Sequence, residues 1–447
     1  MTIRNPQLVL SPVEVSTTHN PVALYVHVPF CRARCAYCDF NTYAGLDELM
    51  PAYVAAVCRE IEAAGERWGH RSVPTVYFGG GTPSLLPLNL LAELFQVLCF
   101  TFHVSDDAEV TLEANPGTVT PTYLHGLQAL GVNRLSLGVQ SAHDDELRLL
   151  GRFHTWAQAV EAVGWTREAG FANLSLDLIF GLPGQTPARW HRTLEAALAL
   201  SPEHLSLYCL SVEEGTVLER RIASGALPAP DEDLAAEMYE LAEEVLAEAG
   251  FFHYEISNWA RVNFKAQRRW TEPGILNLKP DALSERISPY VCRHNLTYWR
   301  NEPWLGVGAG AHSWLGGGVL SGSTEPSGRW PSGRGLAEVL SKGQRWANVR
   351  HPREYIAALD RGVTPVAAVE VIDRRVEMGE TMMLGLRLAE GVDDARFRAR
   401  FGLGLERAFG EELRELRELG LVEWDGRVAR LTARGRLLGN QAFARFV

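Results

Sequence analysis

Lysine is nearly missing from this 447-residue chain: only three of its 43 basic residues are lysine, and the formal net charge is −11. The arginine excess reads as lineage bias without functional weight. The acidic balance argues against nucleic acid as the main partner. Long apolar runs are also lacking, and none approaches the roughly 18–20 residues that a membrane span requires. The opening string MTIRNPQLVLSPVEVSTTHNP has one basic residue and a very short apolar stretch, which makes a poor secretory signal. A flexible leader over residues 1–22 and a cytoplasmic location are therefore expected. Cysteines are few and odd in number, seven in all, which argues against a disulfide scaffold in so long a chain.

What is present is an ordinary globular composition, 46% hydrophobic and 22% charged, enough for two to four domains. From about residue 23 one plan repeats. A short apolar, β-branched run ends in Gly, Pro or polar residues and is followed by an amphipathic segment. The runs are ALYVHVPF (23–30), TVYFGGGT (75–82), EVTLEANP (109–116), RLSLGVQS (134–141), NLSLDLIFGLP (173–183) and HLSLYCLS (204–211). Strands alternating with helices predict parallel βαβ units. Six units favour an α/β barrel or partial barrel over a doubly wound sheet. In such folds the strand-to-helix loops gather functional groups at the C-terminal strand edge. The strings GGGT, EANP and GVQS and the Asp177 region all fall there.

After residue 212 the plan changes. PAPDEDLAAEMYELAEEVLAEAG predicts an exposed acidic helix. Residues 23–261 form the barrel unit and 262–291 an irregular inserted surface segment. Residues 292–368 form an aromatic- and glycine-rich region with a linker, and 369–447 a separate C-terminal unit.

The densest chemistry is HVPFCRARCAYCDF, with Cys31, Cys35 and Cys38 spaced Cys-x3-Cys-x2-Cys. Three thiolates suit three corners of a cubane iron–sulfur cluster and leave a fourth iron open. Structural zinc, with His27 as a fourth ligand, and plain buried thiols are the alternatives. Arg32 and Arg34 would offset the charge of cluster and thiolates.

The string YVHVPFCRARCAYC resembles the radical S-adenosylmethionine (radical SAM) superfamily. Within it, the chain is similar to the branch holding oxygen-independent coproporphyrinogen III dehydrogenase and the heme chaperone HemW family. The resemblance implies a partial (β/α)6 barrel and a 4Fe–4S cluster on Cys31, Cys35 and Cys38. S-adenosylmethionine would chelate the fourth iron. Matching position by position implies Tyr25, Gly80, Gly81, Thr82, Glu113, Gln140, Arg152 and Asp177 as nucleotide contacts, with Tyr37 near the adenine. The chemistry is compatible. Glycines 79–81 allow close backbone approach, and their amides are expected to meet the methionyl end. The carboxylates of Glu113 and Asp177 suit ammonium and ribose hydroxyls, and Arg152 suits a carboxylate.

Two places separate the enzyme from the carrier. The dehydrogenase has a further cysteine two residues after the third, where this chain has Phe40. The string RHNLTYW (293–299) matches an HNxxYW motif of the chaperone group. It implies heme contacts from His294, Tyr298 and Trp299, with Cys292 and His312 as further candidate ligands. Arg293 and Arg300 are candidate propionate partners. The expected function is a heme chaperone that binds one heme and passes it to an acceptor protein, respiratory or membrane-associated. The alternative is oxidative decarboxylation of tetrapyrrole propionates, which would need an electron donor. Arg268, Arg269, Trp270 and Lys279 mark the insertion as an inert excursion, a lid or a docking loop.

Residues 369–447 read as helices, then LVEW, an Asp-Gly turn, RVARLT and a helix, a winged-helix-like α+β pattern. Arginines and acidic residues are equal in number from Glu370 onward, which argues against a DNA footprint. The unit is expected to cover the site or to dock a recipient.

Overall fold

The computed structural model describes residues 21–68, 71–262, 288–316 and 343–447. The expected leader, apart from Pro21 and Val22, and most of the 262–291 segment, with Arg268, Arg269, Trp270 and Lys279, lie outside the described residues. So does the Gly/Ser-rich string 321–335.

Six strands follow the sequence plan: β1 (Ala23–Val28), β2 (Ser72–Gly80), β3 (His103–Ala114), β4 (Arg134–Gln140), β5 (Leu174–Phe180) and β6 (His204–Cys209). Each is parallel to the next. The period-two pattern explains their two faces. On β5, Leu174, Leu176, Leu178 and Phe180 join the main hydrophobic core, while Asp177 and Ile179 line an interior cavity.

The intervening helices are α1 (Met50–Trp68), α2 (Leu88–Thr101), α3 (Pro121–Ala129), α4 (Asp144–Leu149), α5 (Trp156–Glu168) and α6 (Pro187–Ala199). Their starts are written locally. Thr155 and Gln158 form a capping box, and Thr186 caps a helix whose first residue is Pro187. Two further helices, α7 (Val217–Ala223) and α8 (Glu232–Glu248), follow β6.

The sheet continues beyond the six strands. A hairpin, β7 (Phe251–Glu255) and β8 (Asn258–Arg261), extends the β6 edge with antiparallel pairing. After α9 (Arg293–Trp299), strand β9 (Trp304–Val307) lies parallel to β1. Strands β10 (His312–Leu315), β11 (Gly343–Asn348) and β12 (Val366–Ile372) add in antiparallel fashion, with α10 (Pro352–Asp360) between the last two. The 12 strands run β12-β11-β10-β9-β1-β2-β3-β4-β5-β6-β8-β7 and do not close. The expected α/β partial barrel is thus present. The region 292–368, expected as a motif plus linker, supplies three whole strands of the same sheet and the start of β12.

The C-terminal unit has its own core. It holds α11 (Arg374–Gly385), a short strand β13 (Val392–Asp393), α12 (Asp394–Phe401) and α13 (Leu405–Glu418). The hairpin β14 (Val422–Trp424) and β15 (Val428–Leu431) follows, then two short helices. Asp425 Oδ1 accepts from the amides of Arg427 and Val428, and Gly426 takes φ +85°, as the Asp-Gly turn requires. This is the winged-helix-like pattern. No described helix is long and apolar enough to cross a membrane.

Candidate functional site

A cavity of about 510 Å³ opens at the C-terminal ends of the parallel strands. Cys31, Cys35 and Cys38 all line it and are free thiols. Their loop leaves β1 and returns through a short parallel pairing of Phe30–Cys31 with Tyr43–Ala44. Each sulfur has a polar neighbour. Thr82 Oγ1 donates to Cys31 Sγ at 3.6 Å, Arg152 Nη1 donates to Cys35 Sγ at 3.5 Å, and Thr42 Oγ1 stands 3.9 Å from Cys38 Sγ. Burial pushes the Cys31 thiol above its usual range.

Among the described residues no three His, Cys, Asp or Glu side chains converge as they would on a single metal ion. Nor is His27 a free ligand. It is buried, and Nε2 lies 3.0 Å from the Asn41 carbonyl and must therefore donate to it. Nδ1 then accepts from Tyr25 Oη at 3.1 Å. Three separated thiols around one cavity, each with a polar neighbour, fit a group larger than one ion, as a 4Fe–4S cluster is.

The glycine run packs against this loop. Gly80 has φ +117°, and a Cβ there would come 2.5 Å from the His27 ring. A Cβ on Gly81 would lie 2.6 Å from the Phe30 carbonyl oxygen. The expected use of the glycine amides is corrected here. Gly80 N donates to Glu113 Oε2 at 3.1 Å, and Gly81 N donates to the Val28 carbonyl at 2.8 Å. Thr82 N donates to the Phe30 carbonyl at 2.8 Å. The glycines are needed for close packing.

Glu113 also accepts from Tyr77 Oη at 2.8 Å, and burial raises its carboxyl to about 7. Burial likewise raises Asp177, whose oxygens accept from Ser136 Oγ at 3.0 and 3.1 Å. Gln140 is buried with φ +70°, a left-handed conformation rare for a side chain of its kind, next to a register shift between β4 and β5. Arg152 Nη2 donates to the Gly138 carbonyl at 2.6 Å. Tyr37 lines the same cavity beside an apolar shelf that includes Ile179 and Leu210. Phe40 also lines it and is 64% exposed. Of the expected nucleotide residues, only Tyr25 does not line this cavity.

Tyr25 belongs to a second chamber of about 220 Å³ that shares Glu113 and Asp177 with the first. Arg134, 2% exposed with a partnerless buried Nε, borders it, as do His294 and Tyr298. Sequence reading missed Arg134, although a charge opening the buried run RLSLGV was a signal. It also missed Tyr77, Ser136 and Phe153.

His294, expected as a heme contact, lies in enclosed surroundings. Helix α9 plugs the barrel at the N-terminal strand ends, where Glu109 accepts from the amides of Arg293 and His294 at 3.0 and 3.1 Å. His294 is 1% exposed; Thr75 Oγ1 lies 2.9 Å from Nδ1 and Tyr298 Oη 2.9 Å from Nε2. Burial lowers its pKa to about 3. Trp299 is covered by the Arg387 guanidinium. Cys292 is buried beside Glu109, with its thiol pushed up to about 12 by burial. Arg293 donates to the Asp107 carbonyl, and Arg300 pairs with Glu390 at 3.0 Å. His312 lines neither chamber. The C-terminal unit packs on α9 and on the β7–β8 turn, and none of its residues lines the cysteine cavity. It therefore does not cover the site.

Comparison with known proteins agrees with this architecture. The radical SAM superfamily profile matches residues 25–197, and the HemN C-terminal domain profile matches residues 372–438. The chain is 36% identical over 423 residues to the heme chaperone HemW of Mycobacterium tuberculosis, covering 94% of this chain and 93% of that one. It is 33% identical to the Bacillus subtilis heme chaperone HemW, covering 95% and 98%. A solved structure of Escherichia coli coproporphyrinogen III oxidase (HemN) superposes with a TM-score of 0.75 over 96% of this chain and 90% of that chain. At 24% identity that likeness shows the fold alone. By identity across nearly its whole length, the chain belongs to the HemW heme chaperone family of the radical SAM superfamily.

Proposed function

We propose that this protein is a cytoplasmic heme chaperone, which binds one heme and transfers it to an acceptor protein. Cys31, Cys35 and Cys38 hold a 4Fe–4S cluster, with S-adenosylmethionine beside it. Cluster and nucleotide together supply one-electron chemistry when bound, and we assign them a gating role. The residues around them bind and orient. Glu113 and Asp177 present carboxylate oxygens to the ammonium and ribose hydroxyls of the nucleotide, and Arg152 offers a guanidinium to its carboxylate. Gly80, Gly81 and Thr82 shape the floor and Gln140 its wall. Tyr37 and the Ile179 shelf offer apolar surface to the adenine. Tyr25 holds His27 beside the inner chamber, and Tyr77 supports Glu113 there.

Phe40 carries the choice of carrier over decarboxylase. The cavity rim bears an exposed phenyl ring where the dehydrogenase of the resembling branch has a thiol. The experiment is anaerobic cluster reconstitution followed by two assays on one preparation. Stoichiometric heme uptake without conversion of coproporphyrinogen III is the expected result. Efficient conversion would overturn the carrier reading in favour of the enzyme.

A further inference from the structure

Resting on the heme-carrier reading, we propose that the porphyrin lies on the outer rim of the cysteine cavity, against Phe40 and Phe153, with a propionate on Arg32. His294 is then no heme ligand. Phe40 and Phe153 line the same cavity and are 64% and 61% exposed. Exposed rings of this size at one mouth are the kind of apolar patch that marks a binding surface. Both rings are presented by pinned backbone. Arg34 donates from Nε to the Cys38 carbonyl at 3.0 Å and from Nη2 to the Phe40 carbonyl at 3.4 Å. Ala36 N donates to the Leu150 carbonyl at 2.9 Å, which ties the cysteine loop to the segment carrying Phe153.

Charge completes the match. Arg32 is exposed on the rim and makes no hydrogen bond or ion pair with any described residue. Asp39 and Glu213 line the same mouth, so propionates are repelled there and drawn toward Arg32. No histidine or methionine is among the residues lining the cavity, and beside the cluster thiols the exposed side chains that suit heme iron there are Tyr208 and Cys209. A porphyrin gripped chiefly by its faces suits a carrier, because the acceptor's own ligand then meets little competition for the metal. His294, by contrast, is enclosed with a protein partner at each ring nitrogen.

The test uses the cluster-loaded full chain under anaerobic conditions, titrated with hemin, hemin dimethyl ester and iron-free protoporphyrin IX. The Phe40→Ser/Phe153→Ser double variant is expected to bind hemin and protoporphyrin on the order of tenfold or more weakly. Its iron content and melting temperature should stay unchanged, because both rings are exposed. Arg32→Gln should weaken hemin but not its dimethyl ester, which carries no propionate charge. Wild-type heme affinity in the double variant overturns the proposal, as does a histidine-ligated heme spectrum that vanishes in His294→Gln. A wild-type chain that takes up no heme overturns the carrier reading itself, a result distinct from binding that survives the double substitution.

Discussion

Arg152 and Cys35 are joined across the cavity, guanidinium Nη1 to sulfur at 3.5 Å, while Nη2 of the same arginine holds the Gly138 carbonyl at 2.6 Å. One side chain thus fixes the cysteine loop to the end of β4. Groups that hydrogen-bond to metal ligands tune and retain the metal. Arg152→Gln is expected to weaken cluster retention by about 10- to 100-fold. Arg152→Lys should recover part of it through charge without the fork. Iron and sulfide content after gel filtration, with the visible cluster absorbance, checks this.

Gly80 is the tightest point of the glycine run. Gly80→Ala incurs left-handed backbone strain of about 1–3 kcal/mol and adds a clash with the His27 ring. Gly131 has φ +101° but open space around it, so Gly131→Ala meets the strain alone. Urea midpoints should therefore fall further for Gly80→Ala than for Gly131→Ala. Equal shifts would remove the packing argument.

Acid sensitivity follows from buried histidines. Burial lowers His27 and His154 to about 4 and His294 to about 3, against an unfolded value of about 6.5. Each keeps its full contribution above pH ~6.5 and loses it as pH falls toward its folded value. Glu60 and Glu113, both raised to about 7 by burial, act in the opposite sense between pH ~4.3 and 7. His204 and His312 are also lowered and Asp177 and Glu255 also raised, so five histidines against four carboxyls leave a net loss of stability on acidification from about pH 6.5 to 4.5. In the cluster-free protein, His294→Gln should flatten this slope by about 1.4 kcal/mol per pH unit, read from urea unfolding at several pH values.

Docking of the C-terminal unit depends on a buried ion pair. Arg300 and Glu390 are 14% and 2% exposed. Arg396 Nη1 stays 3.7 Å from the same carboxylate, so removing Arg300 leaves Glu390 with a weaker cation pairing, a loss of about 1–3 kcal/mol. Arg300→Leu should therefore lower the melting temperature and open residues 373–447 to limited proteolysis. Heme affinity should remain, since Arg300 lies away from the cavity rim.

The strand plan was legible because buried parallel strands advertise themselves locally. All six apolar runs overlap strands β1 to β6, and the polar groups at their ends do meet in one cavity. The cysteine loop and the glycine run were legible for the same reason, as neighbours in sequence. Long-range partners were not. Thr75, which holds His294, is 219 residues away, and no spacing in RHNLTYW announces it. The short strands β9 to β11 were masked by glycine and aromatics, because they take their identity from β1 and from one another, whereas the β-branched run VAAVEVI of β12 was a local signal. The partners of the glycine amides, Glu113 for Gly80 and Val28 for Gly81, were not legible because they lie on other strands.

Ala36 is stitched at both backbone atoms. Its N–H reaches Leu150, and its carbonyl accepts from Leu218 N at 2.8 Å. Asn41, at the far end of the same loop, donates to the carbonyls of Ala309 and Arg350, both at 3.0 Å. Much of the ordering cost of this loop is thus met by hydrogen bonds within the chain. The three sulfurs ride on a segment moored to distant parts of the sequence, so a disturbance at Leu150, Leu218 or Ala309 is carried to the cysteines through the backbone.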